Sequence, residues 1–123
     1  MAVTYPTAVK NARLDAVVTA IGSTGVLEIG TTGMASILAT ISLNSTAGTT
    51  SGGVLTFSGF PKSDTSADAT GTAAAARIRT ASGGTDIVTG LTVGTSGSDI
   101  NLTSTSITAG QTVTISSATI THA

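Results

Sequence analysis

The chain has 123 residues, of which 40% are hydrophobic, 2% aromatic and 9% charged, and its formal net charge is −1. The absence of cysteine excludes disulfides and thiol chemistry. Five Lys and Arg residues are too few for a basic nucleic-acid surface, and no apolar run is long enough to predict a membrane span. High hydrophobicity with little charge predicts a chain that folds.

Thr and Ser together make up about a third of the chain, and threonine suits the pleated surface of a β-sheet. The length fits one core, so we expect a single β-domain over residues 1–123 with an N-terminal helix at about residues 6–21. A surface of hydroxyls with net charge near zero also favours association between copies.

The segment "PTAVKNARLDAVVTAI" (6–21) predicts the helix, with Pro6 at its first position and Gly22 and Gly25 at its end. Spacing of i, i+3, i+4 and i+7 predicts one buried helical face, made of Leu14, Val17, Val18 and Ile21. The opposite side holds Ala12, Ala16 and Ala20. Small side chains permit close packing, so we expect this helix to be covered on two sides.

After Gly25 the hydrophobic pattern changes to a period of two, which is typical of strands. Strands are predicted at residues 26–30, 35–43, 54–60, 70–80, 86–93, 99–107 and 112–121. By composition, 44–53 and 61–68 are loops. Short strands with closely spaced turns predict a mainly β fold, an antiparallel β-sandwich or barrel (jelly-roll-like) with one N-terminal α-helix.

Two strands carry finer expectations. In "TGTAAAARIRT" (70–80), Ala74, Ala76 and Ile78 are predicted to face inward, although a short helix is the alternative because alanine is the best helix former. In "TVTISSATIT" (112–121), the inward set changes phase at Ser116-Ser117, which predicts a β-bulge.

The glycine-rich "GTSGSD" (94–99) lacks the lysine of a phosphate loop and precedes a strand rather than a helix. Asp99 and Asn101 offer only two of the several oxygen ligands that calcium needs. A hairpin turn is the favoured interpretation, because glycine supplies positive φ and Ser or Asp bonds the nearby backbone.

No residue pattern predicts catalysis. Asp64 and Asp68 are a possible acid–base or cation-binding pair, but we interpret them as solvated loop carboxylates. His122, the only histidine, lies next to the end of the chain, where a rigid serine triad is not expected. We therefore predict no catalytic residue, no metal ligand, no cofactor, no small-molecule substrate and no enzyme activity.

Arg77 and Arg79 point the same way from one strand. We expect them to meet acids, either Asp86 or Glu28 within the chain or a carboxylate on a partner. Together with Tyr5, Lys10 and Arg13 around the helix, they are the candidate partner contacts.

The segments "GTAAAARIRTASGGTDIVTG" and "LTVGTSGSDINLTSTSITAGQTVTISSATIT", preceded by "NARLDAVVTAIGSTGVLEIG", resemble small virion structural proteins of tailed bacteriophages. Such proteins are usually described as capsid decoration (cement) proteins. One departure is the all-alanine stretch at 73–76, where a larger residue is expected.

The resemblance implies a multicopy, non-enzymatic virion component of the capsid or the tail. We expect a protein that decorates and stabilises a capsid. Its partners would be further copies of itself, as a homotrimer, and the major capsid protein, with no nucleic acid and no membrane. Its location would be the virion surface after synthesis in the bacterial host cytoplasm. A tail or tail-fibre-associated structural or receptor-binding module is the alternative.

Overall fold

The computed structural model describes residues 5–81 and 83–121. The fold is mainly β, with 45% of the described residues in strands, one helix near the N-terminus and a curled mixed sheet that forms a half-barrel. This confirms the predicted fold class. His122 lies outside the described residues, so its predicted lack of a catalytic role is not tested.

The helix α1 spans Thr7–Ile21, and a 3-10 turn spans Thr32–Met34. The strands are β1 (Val26–Gly30), β2 (Ile37–Ser42), β3 (Gly48–Ser51), β4 (Val54–Phe57), β5 (Lys62–Asp64), β6 (Gly71–Thr72), β7 (Ala75–Arg79), β8 (Asp86–Gly94), β9 (Ile100–Leu102), β10 (Ser106–Ile107) and β11 (Val113–Thr121).

Helix α1 begins one residue later than predicted, because Pro6 has extended backbone (ψ 156°) and precedes the first turn. It ends where the sequence predicts: Gly22 has φ 75°, and its N–H donates to the Val18 carbonyl. The predicted inner face is confirmed, since Leu14 and Ile21 are buried and Val17 and Val18 pack against the core. The alanines Ala12, Ala16 and Ala20 are exposed, so nothing within the described chain covers the second side.

The main sheet has the strand order β2-β1-β7-β8-β9-β11-β4-β3, and β5 also pairs with β11. Strands β6 and β10 form a separate pair. Helix α1 packs against β3, β4 and β8. The core therefore lies between the curled sheet and the helix, and aliphatic side chains such as Leu27, Ile29 and Ile115 fill it.

Among the strands of residues 5–81 and 83–121, one pair is parallel and the others are antiparallel. Strands β8 and β9 run parallel, with Val93 opposite Ile100 and Gly94 opposite Asn101. The predicted hairpin turn at 94–99 is therefore wrong, because a hairpin joins antiparallel strands. The loop is instead fixed by Asp99, whose Oδ2 accepts hydrogen bonds from the Thr92 N–H (3.0 Å) and hydroxyl (3.1 Å).

The bulge predicted in β11 is confirmed. Ile115 pairs with Leu102 and Ser117 with Asn101, so Ser116 is the extra residue. Val113, Ile115 and Ala118 are buried on one side of the strand.

The alanine segment is a strand from Ala75 onward, as predicted. Ala76 and Ile78 are buried, but the expectation that Ala74 faces inward is wrong: Ala73 is buried and Ala74 is exposed. The physical reason is that β7 begins only at Ala75, so the alternation does not extend back to Ala74.

Two segments predicted as loops contain strands. "GTTS" forms β3 and "KSD" forms β5. Strand β3 pairs with β4 along its whole length, and β5 pairs with β11 at Val113–Ile115.

Candidate functional site

The two arginines of β7 surround one buried carboxylate. Strand β1 lies beside β7 with Glu28 opposite Arg77 and Val26 opposite Arg79. Glu28 is 3% exposed, and Arg77 Nε donates to its Oε1 at 2.7 Å. Nη1 of Arg79 lies 3.8 Å from the same oxygen. Because side chains alternate along a strand, Arg77 and Arg79 of "RIR" lie on the same face of β7. The antiparallel register with β1 places both of them beside the single acid Glu28.

Arg79 also contacts β8 and the turn before it. Its Nη2 donates to the Gly84 carbonyl at 2.7 Å, and its Nε lies 2.8 Å from Asp86 Oδ1. The Nε–H does not point along this contact as a hydrogen bond would, so Arg79 and Asp86 are held by charge. Both acids that the sequence offered as partners, Glu28 and Asp86, are therefore used within the chain.

A second candidate surface is the N-terminal half of α1. The guanidinium carbon of Arg13 lies 4.7 Å from the centre of the Tyr5 ring, which is a cation–π contact. Tyr5 is 39% exposed and Val9 is 40% exposed. We call Tyr5, Val9 and Arg13 the helix patch.

The structure separates the five predicted contact residues into three places. Tyr5 and Arg13 meet in the helix patch, whereas Arg77 and Arg79 belong to the β7 network. Lys10 belongs to neither: it is half-buried, and its side chain lies against the β3–β4 turn, where a Cβ added to Gly53 would be 3.1 Å from Lys10 Cδ. The next residue, Asn11, accepts a hydrogen bond from the Gly53 N–H at 2.9 Å.

Val9 was not predicted as a partner contact, and the structure leaves its side chain 40% exposed. The available signal was its place away from the predicted inner face of the helix, which leaves a β-branched apolar side chain facing outward. Aromatic residues and arginine are enriched in protein interfaces, so Tyr5 and Arg13 give the helix patch an interface-like composition. Val9 adds an apolar side chain to it.

Asp68 is exposed outside the strands, as predicted for a solvated loop acid, whereas Asp64 is half-buried at the end of β5. Both converge on Thr40 of β2: Asp64 Oδ2 accepts from its N–H at 3.0 Å, and Asp68 Oδ2 accepts from its hydroxyl at 3.1 Å. Asp64 also accepts from the Ser66 N–H. Within residues 5–81 and 83–121, no group of three or more His, Cys, Asp or Glu is placed to hold a metal ion.

The side chain of Asn101 also forms hydrogen bonds within the chain. Its Oδ1 accepts from the Ser98 N–H at 3.1 Å, and its Nδ2 donates to the Ser117 hydroxyl at 3.0 Å. The two side chains considered for calcium thus fix the 94–99 loop: Asp99 binds β8, and Asn101 binds Ser98 through its oxygen and β11 through its nitrogen.

Comparison of the chain with protein-family models, with curated proteins and with solved structures finds no match. Among the helices of the described segments, none is long and apolar enough to cross a membrane.

Proposed function

We propose that the protein is a non-enzymatic virion structural protein that decorates and stabilises a tailed-phage capsid in many copies. Its partners are further copies of itself, as a homotrimer, and the major capsid protein. The helix patch carries the proposal: Val9 and Arg13 present an aliphatic and a cationic side chain on the outer face of α1, whose inner face is anchored in the core, and Tyr5, just before the helix, adds an aromatic ring.

The rest of the outer helix face supports this assignment. Ala12, Ala16 and Ala20 are exposed in the single chain, and small side chains allow another backbone to approach closely. Tyr and Arg are the residue types that most often dominate binding energy at protein interfaces. The resemblance of the sequence to phage decoration proteins supports a shell as the surface to which this face binds.

Binding to undecorated capsids tests the role of the helix patch. We expect the double variant Tyr5→Ser, Arg13→Ser to bind capsids at least about tenfold more weakly, because loss of interface anchors costs more than about 1 kcal/mol each. Deleting residues 1–9 should have a similar effect while the β-sheet still forms. Lys62→Ser is the matched control, because it removes a half-buried cation from β5 rather than from α1 and should bind normally. Unchanged capsid binding by the double variant would contradict the proposal that the helix patch contacts the capsid.

Copy number in purified particles tests the location. Quantitative mass spectrometry is expected to give hundreds of copies per virion. A count of three, six or twelve would place the protein in the tail and favour the alternative of a tail or receptor-binding module.

A further inference from the structure

A cleft of about 600 Å³ lies over β7 and β8, away from the helix patch residues. Its floor follows the alanine run 74–76, in which Ala76 is buried in the core and Ala75 is half-buried, and Arg77 also lines the cleft. The 3-10 turn at Gly33 and Met34 and the β8 segment Thr89–Val93 form its walls. The alanine stretch that departs from the expected pattern therefore leaves room on the surface of the sheet.

The backbone of β8 also shapes this cleft. Ala76 pairs with Leu91 while Ile78 pairs with Val88, so Thr89 and Gly90 together stand opposite the single residue Arg77. This is a β-bulge, a feature that is over-represented next to functional sites. Gly90 has φ 75°, and a Cβ placed there would have no atom within 4 Å, so the bulge faces open space.

Met34 at the rim has φ 59°, and it is the one non-glycine residue with positive φ in the described segments. Backbone strain of this kind clusters at ligand-binding positions. The Met34 side chain lies over Gly30, where an added Cβ would be 3.0 Å from both its Sδ and its Cε. The strained conformation thus holds a thioether at the edge of the cleft.

Arg77 is the cationic residue among those that line the cleft. Its Nε is bonded to the buried Glu28, and in the described part of the chain no hydrogen bond or ion pair uses its Nη1 or Nη2. The side chain is 20% exposed. A guanidinium that is anchored through Nε presents its remaining N–H donors in a fixed plane, which matches a carboxylate.

In the described part of the chain no Asp or Glu side chain contacts Nη1 or Nη2 of Arg77, so a carboxylate at that edge would come from a partner. All six Asp and Glu residues already accept hydrogen bonds or ion pairs from other groups of the chain. The pairs are Asp15 with Thr50, Glu28 with Arg77, Asp64 and Asp68 with Thr40, Asp86 with Arg79, and Asp99 with Thr92.

We propose that the cleft binds an aspartate or glutamate side chain in an extended segment of a protein partner. The carboxylate meets the free edge of Arg77, and small flanking residues lie on the alanine floor. A free phosphate fits less well, because the cleft is far larger than one phosphate and because Asp86 on its lining repels a dianion more strongly than it repels a single carboxylate. The proposal concerns ligand chemistry and holds whether or not the protein decorates a capsid.

Titration of the ¹⁵N-labelled protein with two short peptides tests the proposal by NMR. The probes are acetyl-Ala-Ala-Glu-Ala-Ala-amide and the same peptide with Gln in place of Glu. The Glu peptide is expected to shift the amides of residues 74–77 and 89–93 and the Arg77 Nε–H, and to bind at least about fivefold more tightly than the Gln peptide. Equal affinity for the two peptides, or shifts confined to other residues, would overturn the proposal without any variant being needed.

A variant that fills the cleft provides a second test of the proposal. Ala75→Leu occupies the floor and keeps the Arg77–Glu28 pair, so it is expected to lose binding of the Glu peptide, whereas the control Lys62→Gln keeps it. Retained binding by a folded Ala75→Leu protein would overturn the proposal. Inorganic phosphate is a further probe, and if it produces the same shifts at lower concentration than the Glu peptide, the site is a phosphate site instead.

Discussion

Glu28 is the one charged residue that is buried among the described residues, and its surroundings explain why two arginines stand two positions apart on β7. A carboxylate that is removed from water is destabilising unless it is paired and hydrogen-bonded. Arg77 supplies the hydrogen bond, and Arg79 supplies a second positive charge close by. The arginine face is therefore part of the fold, and only the outer edge of Arg77 is left for a partner.

Replacing Arg77 tests this structural role. Arg77→Ala is expected to lower the free energy of unfolding by about 3 kcal/mol, since breaking a buried pair leaves an uncompensated charge. Urea denaturation measures the change. The matched control is Asp86→Ala, at the 43% exposed end of the same network, where a loss of about 0–1 kcal/mol is expected. Equal losses of unfolding free energy for the two variants would show that the burial of Glu28 does not determine how strongly these contacts stabilise the fold.

Among the elements, strand β11 shows how a local pattern can fix tertiary pairing. Its inward residues come in two sets that differ in phase, and one extra residue, Ser116, lets both sets face the core. The Ser116 hydroxyl donates to the Asn101 carbonyl at 3.1 Å, so the bulge is also tied to β9.

Two single-residue deletions distinguish this bulge from an ordinary strand position. Deleting Ser116 leaves the alternating pattern Val-Thr-Ile-Ser-Ala-Thr-Ile, so the protein should still fold with a lower melting temperature. Deleting Thr119 turns Ile120 to the wrong face, because one-residue shifts in a strand exchange its faces. That variant should fail to fold. Circular dichroism melts measure both, and equal damage from the two deletions would contradict the assignment of Ser116 as the extra residue.

The elements also show what the sequence could and could not predict. Helix α1, β1 and the β11 bulge follow from the periodicity of their own side chains. Strands β3 and β5 could not be found this way, because "GTTS" and "KSD" have loop composition and become strands only by pairing with β4 and β11. The ion pairs of β7 were predictable, but the cleft was not, since it depends on a bulge in a neighbouring strand.

At the scale of the whole molecule, the two outer strands of the main sheet are β2 and β3. The free side of β2 is covered by the 61–69 segment: the Leu38 carbonyl accepts from the Asp68 N–H at 2.7 Å, and the Thr40 N–H donates to Asp64. Unpaired strand edges favour uncontrolled pairing between chains. The hydrogen bonds of Asp64 and Asp68 therefore protect the outer edge of β2 from pairing with another chain.

Stability should depend little on ionic strength, because hydroxyls cover most of the polar surface and the three ion-pair contacts of the described segments all belong to the β7 network. We expect the melting temperature to change by less than about 3 °C between about 0.02 M and 1 M NaCl, although salt of this strength screens exposed charges. Sodium sulfate is the positive control and should raise it, because excluded salts strengthen apolar burial. A fall of many degrees in NaCl would show that charge pairs dominate stability.

The position of β11 has a consequence for synthesis on the ribosome. This strand lies between β9 and β4 and also pairs with β5, yet it is the final strand described along the chain. Until it emerges, the two halves of the sheet have no hydrogen-bonded connection, and the facing sides of β9 and β4 remain unpaired. A ribosome that stalls before residue 113 would therefore release a chain with two open strand edges, which is a substrate for chaperones and proteases rather than a smaller folded protein.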